Sequence, residues 1–214
     1  MENVYDLAKF FVKTNLDIQQ SNFDSNMKLQ KLLLFAYLIN LSLYNSPLYK
    51  DNIFAFKQGC VIGDVRLKFK DNFNTFLKDS LAFKPNFSKE TDKVLELTNE
   101  IFSHYSAKEL SELNHTFNFW NDTYKKSSKT NPGDAVIPTE LIKKEIDKTY
   151  KVISTYENRD KEEVYEVING VRFYYNPKEI TLTDKDYDKL YDLSLVTDEV
   201  AMSLFLDDGE VQAY

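Results

Sequence analysis

Residues 27–40, "MKLQKLLLFAYLIN", are a dense apolar run near the start of the chain and decide how we interpret its fold. Leu29, Leu32, Leu33 and Ala36 recur at spacings of three and four residues, which predicts a helix. Further apolar residues cover its remaining sides, and a helix that is apolar all round lies at the centre of a fold. We therefore expect a central helix that supplies much of the core.

The ends and polar residues of this helix allow two further predictions. Ser25 or Asn26 is a suitable residue to cap its first turn. Lys28 and Lys31 are expected to reach the rim of the core, where they would be available to a binding partner. No catalytic side chain stands out in this stretch, which favours a binding scaffold.

The composition is that of a folded, mainly helical protein. Of its 214 residues 43% are apolar, and glycine and proline number only five each, so phosphate-cradling loops and many tight turns are disfavoured. The single cysteine excludes an intrachain disulfide. The first residues do not resemble a signal peptide, and no apolar run reaches the roughly 20 residues of a membrane span. We expect a cytoplasmic protein without a membrane partner.

Apolar periodicity predicts further helices on both sides of the central one. The pattern indicates helices over residues 3–14 and 91–105, and it favours helix over strand in "VRLKFKDNFNTFL". Ser106 and Glu109 have the spacing of a capping box, which starts another helix. The polar segment 121–134 is interpreted as a linker, and Pro138 as the first turn of a later helix.

A different pattern marks the C-terminal part. Asn169-Gly170 lies between two alternating apolar runs, which predicts a β-hairpin over residues 163–175. Thr183 with Asp186 resembles the cap of a short helix. We therefore predict a mainly α fold with two parts, a helical domain over residues 1–152 and a small α+β extension over residues 153–214.

Two glycines stand close together in "IFAFKQGCVIGDV". Gly59 and Gly63 indicate an unusual backbone angle or the close approach of another segment. The neighbouring Cys60 is interpreted as a small buried apolar residue, and its use as a nucleophile is the alternative.

The net charge of −7 is concentrated at the end of the chain. Residues 181–214 hold nine acids, Asp207 and Asp208 among them, and two bases, so that residues 1–180 sum to about zero. Nucleic-acid binding needs clustered basic residues, so no direct nucleic-acid contact is expected. The acidic end suits a basic protein partner, or else it is a solvated face that aids solubility.

Few residues suggest catalysis or metal binding. The two histidines, His104 and His115, and one cysteine do not have the spacing of a zinc site. His115 with Asp122 or Glu112 is a possible acid–base pair, and packing is the alternative. Nucleotide-binding and hydrolase motifs are absent from the sequence.

The densest aromatic cluster of the chain includes Trp120 and Tyr124. Such residues are either core volume or, where exposed, anchors of a protein interface. We keep both interpretations for these two residues.

Three segments together resemble one family, the Panacea domains of SocA-like antitoxins. The first is the Leu29-Gln30-Lys31-Leu32 motif within the stretch quoted above, and the second contains Gly59 and Val61. The third is "YSAKELSELNHTFNFW", in which Tyr105, Leu110, Ser111, His115 and Trp120 match. Phe56, Cys60 and Phe119 depart from the family pattern, at its tryptophan and its two proline positions. The similarity covers about residues 3–150.

The resemblance implies a helical domain without catalysis, metal or cofactor that neutralises a toxin by direct contact. It therefore implies a cognate protein toxin as the partner. From their charge and aromatic character, Lys28, Lys31, Trp120, Tyr124, Asp207 and Asp208 are the candidate contact residues. Two rival functions stay open, namely a phage or prophage protein that acts on a host or defence protein, and an enzyme that uses His115.

Overall fold

The computed structural model describes residues 1–127, 135–157, 163–197, 201–207 and 209–214, and these form two compact units, Met1–Ser154 and Thr155–Tyr214. The first unit is almost entirely helical and the second is a small sheet with one helix. The chain is therefore mainly α with a C-terminal α+β extension, and the predicted fold class is confirmed.

Short helices in the first unit surround one long helix. The elements are α1 (Val4–Thr14), a 3₁₀ turn at Leu16–Ile18, α2 (Phe23–Tyr44), α3 (Gly63–Asp71), α4 (Phe73–Ala82), α5 (Lys89–Phe102), α6 (Ala107–His115), α7 (Asn118–Ser127), α8 (Thr139–Lys143) and α9 (Ile146–Glu157). Two strands, β1 (Ile53–Phe56) and β2 (Gly59–Ile62), form an antiparallel hairpin between α2 and α3.

The central helix α2 is buried along most of its length. It contacts α1, α3, α5, α6 and β2, and Leu29, Leu32, Leu33 and Ala36 are fully buried. Burial of each such leucine side chain contributes about 1.5 to 3 kcal/mol to folding. The predicted central position of this helix is confirmed.

The start of α2 differs from the prediction. The helix begins at Phe23, and the side chain of Asn22, not of Ser25 or Asn26, accepts a hydrogen bond from the backbone N–H of Ser25. The apolar periodicity starts later than the helix, because Phe23 and Asp24 are exposed and Ser25 is polar. The helix therefore begins before the stretch that the pattern marks.

Most of the other predicted helices are present with small shifts. The capping box of Ser106 and Glu109 has both of its hydrogen bonds, as predicted. The predicted linker over residues 121–134 is wrong in its first half, because residues up to Ser127 belong to α7. Its second half, 128–134, lies outside the described residues.

The second unit is built on a four-stranded sheet of order β3-β4-β5-β6. Strands β3 (Val164–Ile168) and β4 (Val171–Tyr175) form the predicted hairpin, and Asn169 and Gly170 both have positive φ, as a tight turn of this kind requires. Helix α10 (Asp184–Val196) leads to β5 (Ala201–Asp207), which pairs parallel to β4 and antiparallel to β6 (Glu210–Ala213). Thr183 caps α10, as predicted.

The apolar core of this unit is small. The cluster comprises Val171, Phe173, Ile180, Leu190, Leu204 and Val211. The β5–β6 pair was not anticipated from the sequence, since its apolar run is short and does not alternate clearly.

Candidate functional site

The motif residues of α2 hold the β1–β2 hairpin through its backbone. The side-chain oxygen of Gln30 accepts a hydrogen bond from the N–H of Ile62 at 2.8 Å, and the ammonium of Lys31 donates to the carbonyl of Cys60 at 3.0 Å. Gln30 and Lys31 are adjacent in α2, and their partners are backbone groups two residues apart in β2. The largely apolar helix α2 therefore contains two polar side chains that bind the backbone of the hairpin.

Side chains of α6 and α7 also hold the same hairpin. The Asn114 side chain accepts a hydrogen bond from the N–H of Cys60 and lies 3.4 Å from its sulfur. The Ser111 hydroxyl donates to the carbonyl of Gln58 at 3.0 Å, and the indole N–H of Trp120 donates to the carbonyl of Phe56 at 2.9 Å. We call Gln30, Lys31, Ser111, Asn114 and Trp120 the hairpin junction.

Gly59 permits this close approach. Its φ is +96°, and a Cβ at this position would lie 2.3 Å from the Asn114 side-chain oxygen and 2.7 Å from the Lys31 nitrogen. Both reasons for glycine that the sequence suggested are therefore confirmed at one residue. Gly63 meets neither condition, since its nearest neighbour would be the Phe54 ring at 3.6 Å.

The two candidate lysines of α2 do not reach the rim of the core. Lys28 is buried, forms an ion pair with Asp17 and donates to the carbonyl of Ser103. Lys31 is only 1% exposed. The prediction that both lysines reach the rim of the core is wrong, because long side chains can be buried when their charged ends find acceptors inside the fold.

Burial shapes the electrostatics of the hairpin junction. It lowers the pKa of Lys31 to about 8 and raises the pKa of the Cys60 thiol to about 11, since both charged forms lose their hydration. Nearby Lys31 and Asn114 oppose the shift of Cys60. At neutral pH the cysteine is therefore a protonated thiol, which fits the predicted role as a buried apolar residue and not as a nucleophile.

His115 packs into a stack of three rings. Its ring lies 4.0 Å from that of Trp120, which stacks on Tyr124 at 5.3 Å. Burial, with the positive charge of Lys31, lowers the pKa of His115, so the imidazole is neutral at neutral pH. Its Nε2 is buried and, among the described residues, has no hydrogen-bond partner. This geometry fits the packing interpretation better than an acid–base pair with Glu112 or Asp122.

The other candidate residues differ in their accessibility. Trp120 is 8% exposed and belongs to the hairpin junction, whereas Tyr124 is partly exposed at the end of the ring stack. Asp207 is exposed at the end of β5, and Asp208 lies outside the described residues. The described residues contain no group of three or more His, Cys, Asp or Glu that could hold a metal ion. Within the same ranges, each helix is too short or too polar to cross a membrane.

Sequence reasoning missed Asn114 as a member of the hairpin junction. A polar residue that follows an apolar position in a helix carries no pattern of its own, and its role depends on a strand 54 residues away in sequence. The nearest signal was its place beside His115 in the third matching segment. The hairpin β1–β2 was missed for a different reason, because its strands have only four residues each and its turn residues, Lys57 and Gln58, are not an Asn-Gly type turn signal.

The fold defines the class of the protein as a helical domain. In this domain the motif residues Gln30 and Lys31 bind the backbone of the β1–β2 hairpin. Residues 29–121 match the family model described as antitoxin SocA-like, Panacea domain. The predicted resemblance to this family is therefore confirmed over residues 29–121, a narrower range than residues 3–150. No curated protein and no solved structure shows a significant match to the chain.

Proposed function

We propose that this protein is an antitoxin-like binding protein that neutralises a toxic protein by direct contact. The observation that carries the proposal is the match of residues 29–121 to a family of antitoxin domains. The hairpin junction supports it, because its polar side chains are used to fix a strand pair in place. Such an arrangement presents a preformed surface, which lowers the entropy lost on binding.

The outer face of α10 is the surface that best fits a basic partner. Asp184, Asp188 and Asp192 are exposed at four-residue spacing, so they lie along one side of the helix. Tyr191 and Leu195 follow the same spacing next to them and are 50% and 62% exposed. Exposed aromatic and apolar residues bordered by polar residues are typical of a protein interface.

The three aspartates of this face repel one another in the free protein. Like charges four residues apart on a helix destabilise it by about 0.2 to 0.5 kcal/mol for each pair. Other acids nearby have structural roles, since Asp186 caps the helix and Glu210 pairs with Lys189 at 3.0 Å. A basic partner surface would relieve the repulsion between the three aspartates on binding.

The proposed partner is a toxin with a basic surface. Toxins that act on RNA or nucleotides need basic residues to hold phosphate groups, and an acidic face covers such a site by charge complementarity. Tyr124 and Asp207 are further proposed contacts because their side chains are at least partly exposed.

Growth measurements test the proposed function. Proteins that co-purify with the chain from its native cell, and the product of a small neighbouring gene, are expressed alone and together with the chain. We expect at least one of them to arrest growth alone and to be harmless with the chain. The proposal fails if none of them is toxic, or if toxicity persists despite co-expression.

A matched pair of variants tests the α10 face. The triple change Asp184→Lys, Asp188→Lys and Asp192→Lys is expected to weaken toxin binding by roughly tenfold or more, most strongly at low salt. The control triple, Asp92→Lys, Glu96→Lys and Glu100→Lys, has the same spacing on exposed positions of α5, and none of the large apolar residues of α5 is exposed. Equal losses in both triples would contradict a role for this face.

A further inference from the structure

A cavity of about 410 Å³ lies between the start of α2, the turn of the β1–β2 hairpin and α3. This volume is within the range of sites that hold a small ligand or an inserted side chain. The cavity shares Gln30 and Lys31 with the hairpin junction, so its wall is fixed by the hydrogen bonds described above.

The charged residues that the structure describes in the cavity wall are all basic. Lys31, Lys57, Arg66 and Lys70 line it, and the described part of the lining contains no aspartate or glutamate. Arg66 lies over the ring of Phe56 at 5.4 Å, which orients its guanidinium beside an aromatic face. Acids of the same helices, such as Asp24 and Asp64, are not part of the wall. The concave surface therefore favours an anionic group.

The ammonium group of Lys31 is a buried charge with few partners. Such a group has three donors, and within the described part of the chain one acceptor is seen, the carbonyl of Cys60. Across the described ranges, no carboxylate lies within ion-pair distance of Lys31. A buried cation of this kind is costly until an anion approaches it.

The rim of the cavity indicates a macromolecular ligand. Phe23 is 65% exposed at the edge, and the rim residues Lys57 and Lys70 are also exposed. A small anion inside the cavity would leave this aromatic ring in water. A protein surface could fill the cavity and cover the ring at the same time, as interface anchors commonly do.

We propose that the cavity receives an acidic side chain of the protein partner, and that an adjacent apolar side chain of the partner packs on Phe23. This proposal rests on the proposed function, since the partner is the neutralised toxin. The basic cavity would be a second contact with the toxin, opposite in charge to the acidic face of α10. The toxin would therefore carry an acidic protrusion as well as a basic surface. Lys57, Arg66 and Lys70 would steer the acid to the cavity.

The test uses the full chain and a toxin that it neutralises. The cavity triple, Lys57→Glu, Arg66→Glu and Lys70→Glu, is compared with a control triple, Lys78→Glu, Lys84→Glu and Lys108→Glu, which changes the same charge at exposed positions outside the cavity. We expect the cavity triple to bind roughly tenfold or more weakly than the control. Since all six positions are partly or fully exposed, both variants are expected to fold.

A charge exchange identifies the partner group. Each exposed acid of the toxin is changed to lysine in turn, and one such change is expected to weaken binding to the wild-type chain and to restore binding to the cavity triple. Equal binding by the cavity and control triples, with neutralisation intact in the wild type, would overturn this inference and leave the proposed function standing. Absence of neutralisation by the wild type would overturn both.

One alternative occupant is tested directly with inorganic phosphate. If phosphate raises the melting temperature of the wild type but not of the cavity triple, and toxin affinity is the same for both triples, the cavity holds a small anion. That result would also overturn the proposal of a partner side chain.

Discussion

At the scale of single residues, Gly59 is the position where sequence and geometry are most tightly linked. Its positive φ disfavours any side chain, and the space that a Cβ would need is occupied by Asn114 and Lys31. The residue type is therefore required by two independent conditions. The hydrogen bonds that Lys31 and Asn114 form in the hairpin junction depend on the absence of a Cβ atom at Gly59.

We predict that Gly59→Ala lowers the free energy of unfolding by at least about 2 kcal/mol, since backbone strain adds to steric overlap. Gly63→Ala is the control, because its nearest neighbour would be at an ordinary contact distance of 3.6 Å. Urea denaturation of both variants measures the difference. Similar stability of the two variants would show that Gly59 is not constrained as described.

Lys31 should make stability depend on pH in the alkaline range. Its pKa is lowered from 10.5 to about 8 by burial, so between these values the unfolded chain binds more protons than the folded chain. The contribution of Lys31 to the free energy of unfolding is therefore smallest below about pH 8, where the lysine is charged in both states. It rises with pH between about pH 8 and pH 10.5.

The comparison with Lys31→Met isolates this effect. From about pH 7.5 to about pH 9, the free energy of unfolding of the wild type is expected to rise by about 1 kcal/mol relative to the variant. Above that range the thiol of Cys60, with its pKa raised to about 11, acts in the opposite direction. Denaturation curves at several pH values give the slope, and a difference independent of pH would refute the assignment.

His115 tests the choice between a binding protein and an enzyme. We expect His115→Ala to keep neutralisation of the toxin largely intact, because the ring packs on Trp120 and has no hydrogen bond to a carboxylate among the described residues. Some loss of melting temperature is expected from the missing stack. Complete loss of neutralisation by a variant that remains folded would instead favour catalysis.

At the scale of elements, α2 both supplies the core and holds the β1–β2 hairpin, and only the first of these roles can be predicted from its sequence pattern. The apolar positions that form the core follow from periodicity and were predicted. The polar positions Gln30 and Lys31 were visible only as a motif, because their function depends on strand β2, which lies about 30 residues further along the chain. Periodicity shows which side of a helix is apolar, but not what its polar residues bind.

We predict that Leu32→Asp prevents folding, because an unpaired carboxylate would replace a fully buried side chain at the centre of the first unit. Phe23→Asp in the first turn of the same helix is the control, since Phe23 is exposed and an acid is favourable at a helix N-terminus. Circular dichroism melting distinguishes them. A soluble Leu32→Asp protein with a cooperative transition would show that α2 is not the central helix.

At the scale of the whole molecule, the division into two compact units raises the question of whether the helical unit folds alone. We propose that residues 1–154 fold without the rest of the chain, since the core around α2 is contained within them. The truncated protein is expected to melt in one cooperative transition. Non-cooperative melting would mean that the extension is needed for the fold of the helical unit.

Local patterns in the sequence were enough to predict the helical class, the central position of α2, the turn at Asn169-Gly170 and the resemblance to the antitoxin family. These follow from local rules, namely apolar period, capping residues and turn chemistry, which act within a few residues. The folded structure was needed to show that Lys28 and Lys31 are buried and that Asn114 and Trp120 hold the β1–β2 hairpin. It also showed that Lys57 of the hairpin turn and Arg66 and Lys70 of α3 line one cavity with Lys31. Those facts depend on contacts between segments far apart in the chain, and no local pattern of residue types encodes which distant backbone group a polar side chain will bind.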